Sequence, residues 1–185
     1  MRKPREAKRM SDEAVKERTG RTWAEWFKIL DQAGAKKWQH KEISAYLRDE
    51  QKVGPWWCQM VAVDYEHARG IREKFQKCDG EFAASGSRTL SVSMIKLFEA
   101  WTDEKVRRRW LPDAEMEITT ATLNKSLRAK WNGGKSRLSV NFYAKGSGKN
   151  QATVDHMKLA SSAECAKMKA YWFNALDRLE KLLEA

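Results

Sequence analysis

Residues 126–159, SLRAKWNGGKSRLSVNFYAKGSGKNQATVDHMKL, decide the fold of the second half of the chain. Apolar and polar residues alternate on both sides of Asn132-Gly133-Gly134, which predicts two half-buried strands joined by a tight hairpin turn. Gly146-Ser147-Gly148 repeats the turn signal one strand later. We therefore expect an antiparallel meander with strands at 126–131, 137–145 and 151–159.

One face of this meander is predicted to be apolar and must be covered. Alternation places these residues on that face: Leu127, Ala129, Trp131, Leu138, Val140 and Phe142. The segment from Ser161 or Ser162 to Leu183 carries an apolar stripe at helical spacing: Met168, Trp172, Ala175, Leu176, Leu179 and Leu183. A long amphipathic helix therefore packs on the strands.

Upstream of the meander, the sequence predicts a strand at 81–93, short helices at 94–101 and 104–110, and a strand at 117–122. Pro112 ends the helical section. The second half is thus an α+β unit, in which a five-stranded antiparallel sheet wraps on the C-terminal helix.

The first half has helical rather than alternating periodicity. Thr22 with Glu25 forms a capping box, and the helix that follows ends at Gly34. Further helices are predicted after a cap at Ser11, near 41–51, and from Pro55 to about residue 70. Their spacing places Trp23, Trp26, Trp56 and Trp57 in a core.

The change of period near residues 76–80 marks the expected domain boundary. We divide the chain into a basic disordered arm at 1–10, a small helical domain at 11–77 and the α+β domain at 78–185.

Composition narrows the class of protein. The net charge of +11 is spread over both halves, and 42% of residues are hydrophobic, which excludes collagen-like and wholly disordered chains. Cys58, Cys78 and Cys165 form no C-x-x-C pair, which favours a reducing compartment over a disulfide framework. No segment approaches the ~20 apolar residues of a membrane span. We expect a cytoplasmic protein.

The sequence offers little catalytic or cofactor chemistry. His40, His67 and His156 have no metal-ligand spacing, so no metal or cofactor is expected. Gly134-Lys135-Ser136 lacks the earlier glycine of a phosphate-binding loop and is interpreted as a hairpin turn. An enzyme would need an acid and base pair, for which the α+β half provides His156 with Tyr143 or Tyr171.

The helical half also suggests nucleic-acid binding. A helix at 40–47, a turn at 52–54 and a helix from Pro55 resemble helix-turn-helix spacing, although Gln59 is the one base-reading side chain at the start of the second helix. The basic arm supports this alternative. The densest basic run outside the arm, Lys105 with 107–109, is interpreted as a solvated face or a docking patch for an acidic surface.

Several segments of the second half resemble one superfamily. They are LFEAWT at 97–102, RWLP at 109–112, SLRAKW at 126–131, TVDH at 153–156 and YWFNALDRL at 171–179. Residues 81–185 are similar in these segments to the SRPBCC, or START-like, helix-grip superfamily, in particular to its branch related to the activator of a heat-shock chaperone ATPase. The first half is similar to an uncharacterised small helical domain of bacterial proteins.

The resemblance implies a non-catalytic module that binds a small apolar molecule or a protein partner. The implied ligand-binding residues are Trp101, Trp110, Trp131, Phe142, His156 and Trp172. Superfamily members usually have one more strand hairpin after the Trp-Pro segment, where this chain has residues 113–116 alone. In such a shortened sheet these side chains either line a small cavity or fill the core.

Overall fold

A computed structural model describes residues 10–185 of the chain, which form two compact units at 10–74 and 75–185. The division lies three residues before the boundary drawn from the sequence, after 77. Residues 1–9 of the predicted basic arm lie outside the described residues.

The first unit is helical. It contains α1 (Asp12–Thr19), α2 (Trp23–Gln32), a single 3-10 turn (Ala35–Lys37), α3 (His40–Asp49) and α4 (Pro55–Ala68). The Thr22 and Glu25 capping box at the start of α2 is present as predicted. Hydrogen bonds to Asp31 connect α2 to the end of α4. The Tyr65 hydroxyl donates at 2.9 Å, and the Arg69 guanidinium donates from Nη2 at 2.6 Å and from Nε at 3.0 Å. The hydrogen bond from Arg69 lowers the pKa of this carboxyl.

Trp23 and Trp26 lie in the core of this unit, but the prediction that Trp56 is a core residue was wrong, because its side chain is 56% exposed. The buried face of α4 is set by Cys58, Val61, Ala62 and Tyr65. Each helical residue is rotated by about 100° from the one before it. Trp56, two residues before the buried Cys58, therefore points away from the core.

The second unit has the α+β architecture that the sequence predicts. Its elements are β1 (Phe82–Leu90), α5 (Met94–Thr102), α6 (Glu104–Trp110), β2 (Met116–Thr122), β3 (Ser126–Trp131), β4 (Ser136–Ala144), β5 (Asn150–Leu159) and α7 (Ser162–Glu184). The five strands form one antiparallel sheet in the order β1-β5-β4-β3-β2, so the first strand pairs with the last. The strand predicted at 81–93 ends at Leu90, because the Ser93 hydroxyl accepts the Lys96 N–H and begins α5.

The register of the meander confirms the predicted apolar face. Ala129 pairs with Leu138 and Leu127 with Val140 across β3 and β4, and all four are buried. The turn between these strands is a hairpin, as predicted, with φ of 48° at Asn132, 64° at Gly133 and 88° at Gly134. The sequence Gly134-Lys135-Ser136 is therefore turn and strand, not the beginning of a helix that would bind phosphate.

Helix α7 covers the inner face of the sheet. At Gly86 of β1 the helix comes so near that a Cβ would lie 3.4 Å from Leu176 Cδ1 and 3.5 Å from Trp172 Cβ. Farther along the same strand, Arg88 forms ion pairs with Asp177 and Glu180 of α7. Close packing at one end and charge pairing at the other fix the position of the helix on β1.

The space at Gly86 leads to a graded prediction. Gly86→Ala places its methyl group in ordinary van der Waals contact, so we expect the free energy of unfolding to change by less than about 1 kcal/mol. Gly86→Val adds two methyl groups against α7 and should destabilise the unit by about 1–3 kcal/mol. Urea unfolding of the full chain tests this order, and equal stability of the two variants would contradict close packing at this position.

Candidate functional site

The six residues implied by the resemblance come from six different elements of the second unit. They are Trp101 of α5, Trp110 of α6, Trp131 of β3, Phe142 of β4, His156 of β5 and Trp172 of α7. All six side chains are buried. The fold thus brings together residues that are up to 71 positions apart in the chain, from residue 101 to residue 172.

These side chains contact one another and form what we call the aromatic cluster. The ring of Trp101 lies 4.7 Å from that of Trp110 and 6.0 Å from that of Trp172, and Phe142 approaches it edge-on at 6.4 Å. Trp131 lies 5.3 Å from Trp172 and 5.4 Å from the His156 ring. These are the separations of directly packed aromatic rings, so every member has another member as its neighbour.

His156 is the polar centre of the cluster and is fully buried. The indole N–H of Trp172 donates to its Nδ1 at 3.1 Å, and its Nε2 lies 2.7 Å from the Ser136 hydroxyl. An indole nitrogen is only a donor, so Nδ1 must accept and the ring proton resides on Nε2. Burial lowers the pKa of His156 to about 4, and the imidazole is neutral near neutral pH.

Most other polar groups around the cluster also have partners. The Trp110 indole N–H donates to the Ala100 carbonyl at 2.9 Å, and the Trp110 carbonyl accepts from Arg178 Nε at 2.8 Å. Asn150, at the far end of β5, donates to the Val92 carbonyl at 2.7 Å. Hydrogen bonding in this core follows the rule that buried polar atoms are paired.

Two buried polar atoms at the cluster are exceptions to that rule, and Arg88 Nε and Asn124 Oδ1 are further exceptions elsewhere in the unit. The indole Nε1 of Trp101 and the hydroxyl of Tyr171 have no hydrogen-bond partner among the described residues. Tyr171 borders the aromatic cluster, with its ring 5.7 Å from Trp131 and 5.4 Å from Trp172. Burial raises the pKa of its hydroxyl, so the group stays protonated and able to donate. An unpaired buried donor costs about 1–3 kcal/mol and calls for an explanation.

The polar atoms at the centre of the cluster are already engaged in hydrogen bonds. Both nitrogens of His156 are already bonded, and its partners are a hydroxyl and an indole, not a carboxylate. Tyr143, an alternative acid in the sequence analysis, is 49% exposed and follows Phe142 in β4, so it points to the opposite face of the sheet. Within residues 10–185, no group of three His, Cys, Asp or Glu side chains is placed to hold a metal ion.

The first unit contains a polar network that the sequence analysis missed. His40 Nδ1 lies 3.0 Å from Glu66 Oε1, its Nε2 lies 2.7 Å from Gln59 Oε1, and Arg72 pairs with Glu66 Oε2 at 2.9 Å. Glu66 is only 2% exposed. The spacing of the histidines does not reveal this network, because the partners of His40 are Gln59 and Glu66 on the next helix. A signal was available in the position of Glu66, four residues after Ala62 on the face of α4 that is buried.

This network limits base reading by the predicted helix-turn-helix. The helices and the turn are present, as α3 and α4, but the Gln59 amide oxygen is bonded to His40.

The basic run in α6 is partly structural. Arg107 Nη1 donates to the Trp101 carbonyl at 2.8 Å, and Arg108 pairs with Glu104 at 2.6 Å. Arg107 therefore closes the end of α5 and is not part of a solvated face.

Comparison with known proteins confirms both resemblances. A family model matches part of the first half, and solved structures share the fold of the second half. Residues 11–66 match the model of a domain of unknown function, DUF4287. No curated protein matches the sequence. None of the helices in the described part of the chain has the length and apolar character needed to cross a bilayer.

Solved structures share the helix-grip fold of the second half. A protein from Mesorhizobium loti is 17% identical with a TM-score of 0.50, over 55% of this chain and 96% of its own. A conserved protein of unknown function from Enterococcus faecalis is 13% identical with a TM-score of 0.50, over 65% of this chain and 81% of its own. An HSP90 activator from Plasmodium falciparum is 19% identical with a TM-score of 0.48, over 55% of this chain and 96% of its own. At these identities the likeness shows the fold alone.

The neutral His156 makes stability depend on pH. Its pKa falls from 6.5 in the unfolded chain to about 4 in the folded one. The neutral ring therefore contributes fully to the free energy of unfolding above about pH 6.5, and this contribution is lost as the pH falls towards 4. Between about pH 7 and pH 4.5 we expect a loss of roughly 2 kcal/mol in the free energy of unfolding. Denaturant unfolding of the wild type and of His156→Gln isolates the effect of His156. The difference in their free energies of unfolding should shrink on acidification, because glutamine does not titrate. A constant difference would contradict the neutral, buried imidazole.

Proposed function

We propose that residues 75–185 form a non-catalytic binding module that takes a small, mostly apolar molecule at the aromatic cluster. The observation that carries the proposal is the pair of unpaired buried donors, Trp101 Nε1 and the Tyr171 hydroxyl. A bound molecule with a carbonyl or ether oxygen would accept from such a donor. Because the rings are packed against one another, its apolar body would have to displace some of them to lie at the cluster. The proposal includes no catalytic step, because both nitrogens of His156, the one histidine of this unit, are engaged.

Tyr171 marks the side from which such a molecule would enter. Its hydroxyl is buried, but the residue as a whole is only partly buried, so it lies between the aromatic cluster and solvent. We also place the module in a reducing, cytoplasmic setting, which the three unpaired cysteines Cys58, Cys78 and Cys165 support.

The proposal predicts opposite effects of one substitution on stability and on binding. Tyr171→Phe removes the unpaired hydroxyl, so the empty protein should become more stable by up to about 1–3 kcal/mol. The same change should weaken binding about tenfold for an apolar probe with a carbonyl group, such as the fluorophore prodan, because one hydrogen bond is lost. Tyr143→Phe, which changes an exposed tyrosine on the opposite face, serves as the matched control.

Native mass spectrometry of the purified protein, followed by denaturation, identifies any molecule that copurifies. A copurifying apolar compound, or saturable prodan binding weakened by Tyr171→Phe alone, supports the proposal. An empty protein that does not bind prodan contradicts it and favours a protein partner on the outer surface of the unit instead.

A second candidate function is nucleic-acid binding by the helical unit, and the exposed Trp56 favours it. The side chain is 56% exposed and lies edge-on to Trp57 at 4.8 Å, at the first turn of α4. An exposed indole on a protein of net charge +11 provides a surface on which a base can stack. Because Gln59 is held by His40, we expect such binding to show little sequence preference.

Salt dependence separates the two candidate functions. Binding of single-stranded DNA should weaken steeply as salt rises, whereas binding of prodan should stay nearly constant. Fluorescence anisotropy of a labelled oligonucleotide measures the affinity for single-stranded DNA at each salt concentration. Trp56→Ala should reduce its affinity about fivefold or more, given a stacking contribution of about 1–3 kcal/mol. An affinity unchanged by this substitution would remove Trp56 as the contact.

A further inference from the structure

Exposed large apolar side chains are concentrated at one end of the second unit. In residues 10–185 the exposed ones are Trp56, Ile71, Ile95, Leu123 and Tyr143. Ile95 lies on α5, Leu123 in the turn between β2 and β3, and Tyr143 near the end of β4. Leu123 is 71% exposed, more than any of the other four. A single exposed apolar side chain needs no explanation, but several at one place mark an interaction surface.

The topology of the sheet brings these three segments to the same end. Leu90, the last residue of β1, pairs with Asn150, the first residue of β5. Asn150 also donates to the Val92 carbonyl at 2.7 Å, just ahead of α5. The turn between β2 and β3 lies beside the end of β4, because the Phe142 N–H donates to the Lys125 carbonyl at 2.9 Å. Both turns and the start of α5 therefore lie at one end of the sheet.

Three exposed lysines lie at the same end. Lys125 belongs to the turn between β2 and β3, and Lys145 and Lys149 flank the glycine turn between β4 and β5. The two segments that contain them, 122–126 and 143–151, have no Asp or Glu. The ion pairs among the described residues of this unit involve other side chains. The positive charge of the three lysines is therefore not neutralised within the unit.

The apolar and the basic groups together form what we call the tip surface. Its members are Ile95, Leu123, Lys125, Tyr143, Lys145 and Lys149. A cation and an aromatic ring are direct neighbours in it, since Lys145 Nζ lies 5.7 Å from the centroid of the Tyr143 ring. Tyrosine also has an apolar ring and a polar hydroxyl, the kind of side chain that lies at a boundary between water and an apolar phase.

The composition of the tip surface selects the kind of partner that fits. Protein interfaces are depleted in lysine and have a continuous apolar core, whereas here the apolar side chains come from separate segments and lysines accompany them. A nucleic acid would attract the lysines, but its bases stack on planar rings, which Ile95 and Leu123 do not have. Anionic lipid headgroups attract lysines, and apolar side chains enter the boundary between headgroups and acyl chains. A lipid surface is the partner that uses both groups.

We propose that the tip surface docks the second unit on the surface of a membrane that contains anionic lipids. Ile95, Leu123 and Tyr143 enter the boundary between headgroups and acyl chains, and the three lysines lie at the headgroup phosphates. The contact is made at the bilayer surface and does not involve crossing it. The tip surface shares no residue with the aromatic cluster, and the proposal does not depend on the function proposed for that cluster.

The test measures binding of the full chain to sucrose-loaded vesicles by cosedimentation. Vesicles of phosphatidylcholine alone are compared with vesicles of phosphatidylcholine and phosphatidylglycerol in equal amounts. We expect saturable binding to the mixed vesicles, weaker at higher salt, and little binding to phosphatidylcholine alone. A chain that stays in the supernatant with the mixed vesicles would overturn the proposal. Oligonucleotide binding without vesicle binding would do the same and would favour nucleic acid as the partner.

Two double variants with the same change in net charge locate the contact on the tip surface. Lys145→Gln with Lys149→Gln should weaken binding to the mixed vesicles roughly tenfold or more, because two charges near the headgroups are lost. Lys135→Gln with Lys158→Gln changes two exposed lysines at the opposite end of the sheet and should leave the affinity nearly unchanged. Equal weakening by both pairs would overturn the proposal, because the attraction would then be to the protein as a whole.

An apolar pair of variants tests insertion separately from charge. Leu123→Ser should weaken binding to the mixed vesicles roughly fivefold, since an apolar group no longer leaves water. Ile71→Ser changes an exposed apolar side chain of the helical unit and is the matched control. Both residues are exposed, so urea unfolding should show little change in stability. Wild-type affinity of Leu123→Ser would contradict insertion of the tip surface and overturn the proposal.

Discussion

The contact of Trp172 with the inner face of the sheet is the interaction on which the helix-grip unit depends. One side chain of α7 packs on Trp101 and Trp131 and donates its indole N–H to His156. Gly86 of β1 lies directly against this helix, where a Cβ would be 3.5 Å from Trp172 Cβ. β1, the first strand in the chain, is paired with β5, the last one. The packing of α7 on β1 therefore joins the first and last parts of the unit. The unit therefore depends on contacts between segments that are far apart in the chain, the kind of topology that folds slowly.

Buried polar groups define this core as much as its rings do. His156 is accommodated because both ring nitrogens have partners and the imidazole is neutral. The helical unit holds its buried polar group differently. Glu66 lies between His40, 3.0 Å from one of its oxygens, and the guanidinium of Arg72, 2.9 Å from the other. Both units obey the same requirement that desolvation be compensated by bonding. Trp101 Nε1 and the Tyr171 hydroxyl stand out because they do not meet it.

Much of the fold was predictable from local patterns in the sequence. The alternation in β3 and β4, the positive-φ turn at Asn132 and the stripe of α7 each depend on neighbours within a few residues, and such patterns are strong when one face is buried. Trp56 shows where this reasoning fails. An apolar run such as PWWCQMVAV contains more apolar residues than one helix face can bury, and the sequence does not say which will remain outside. For the candidate site, the six residues implied by family resemblance do meet in space. The contact of Tyr171 with Trp131 and the His40 network were not predicted, because contacts between separate elements leave no periodic signal.

The sequence by itself determined the two classes of unit, the order of their helices and strands, the hairpin turns and the face that each amphipathic element buries. These follow from backbone preferences and from the spacing of apolar residues, which act over short distances along the chain. The tertiary structure alone decided which polar atoms find partners and how near α7 comes to β1. Those outcomes depend on distances of a few tenths of an ångström between residues far apart in sequence, where hydrogen bonds and van der Waals contacts are made or lost.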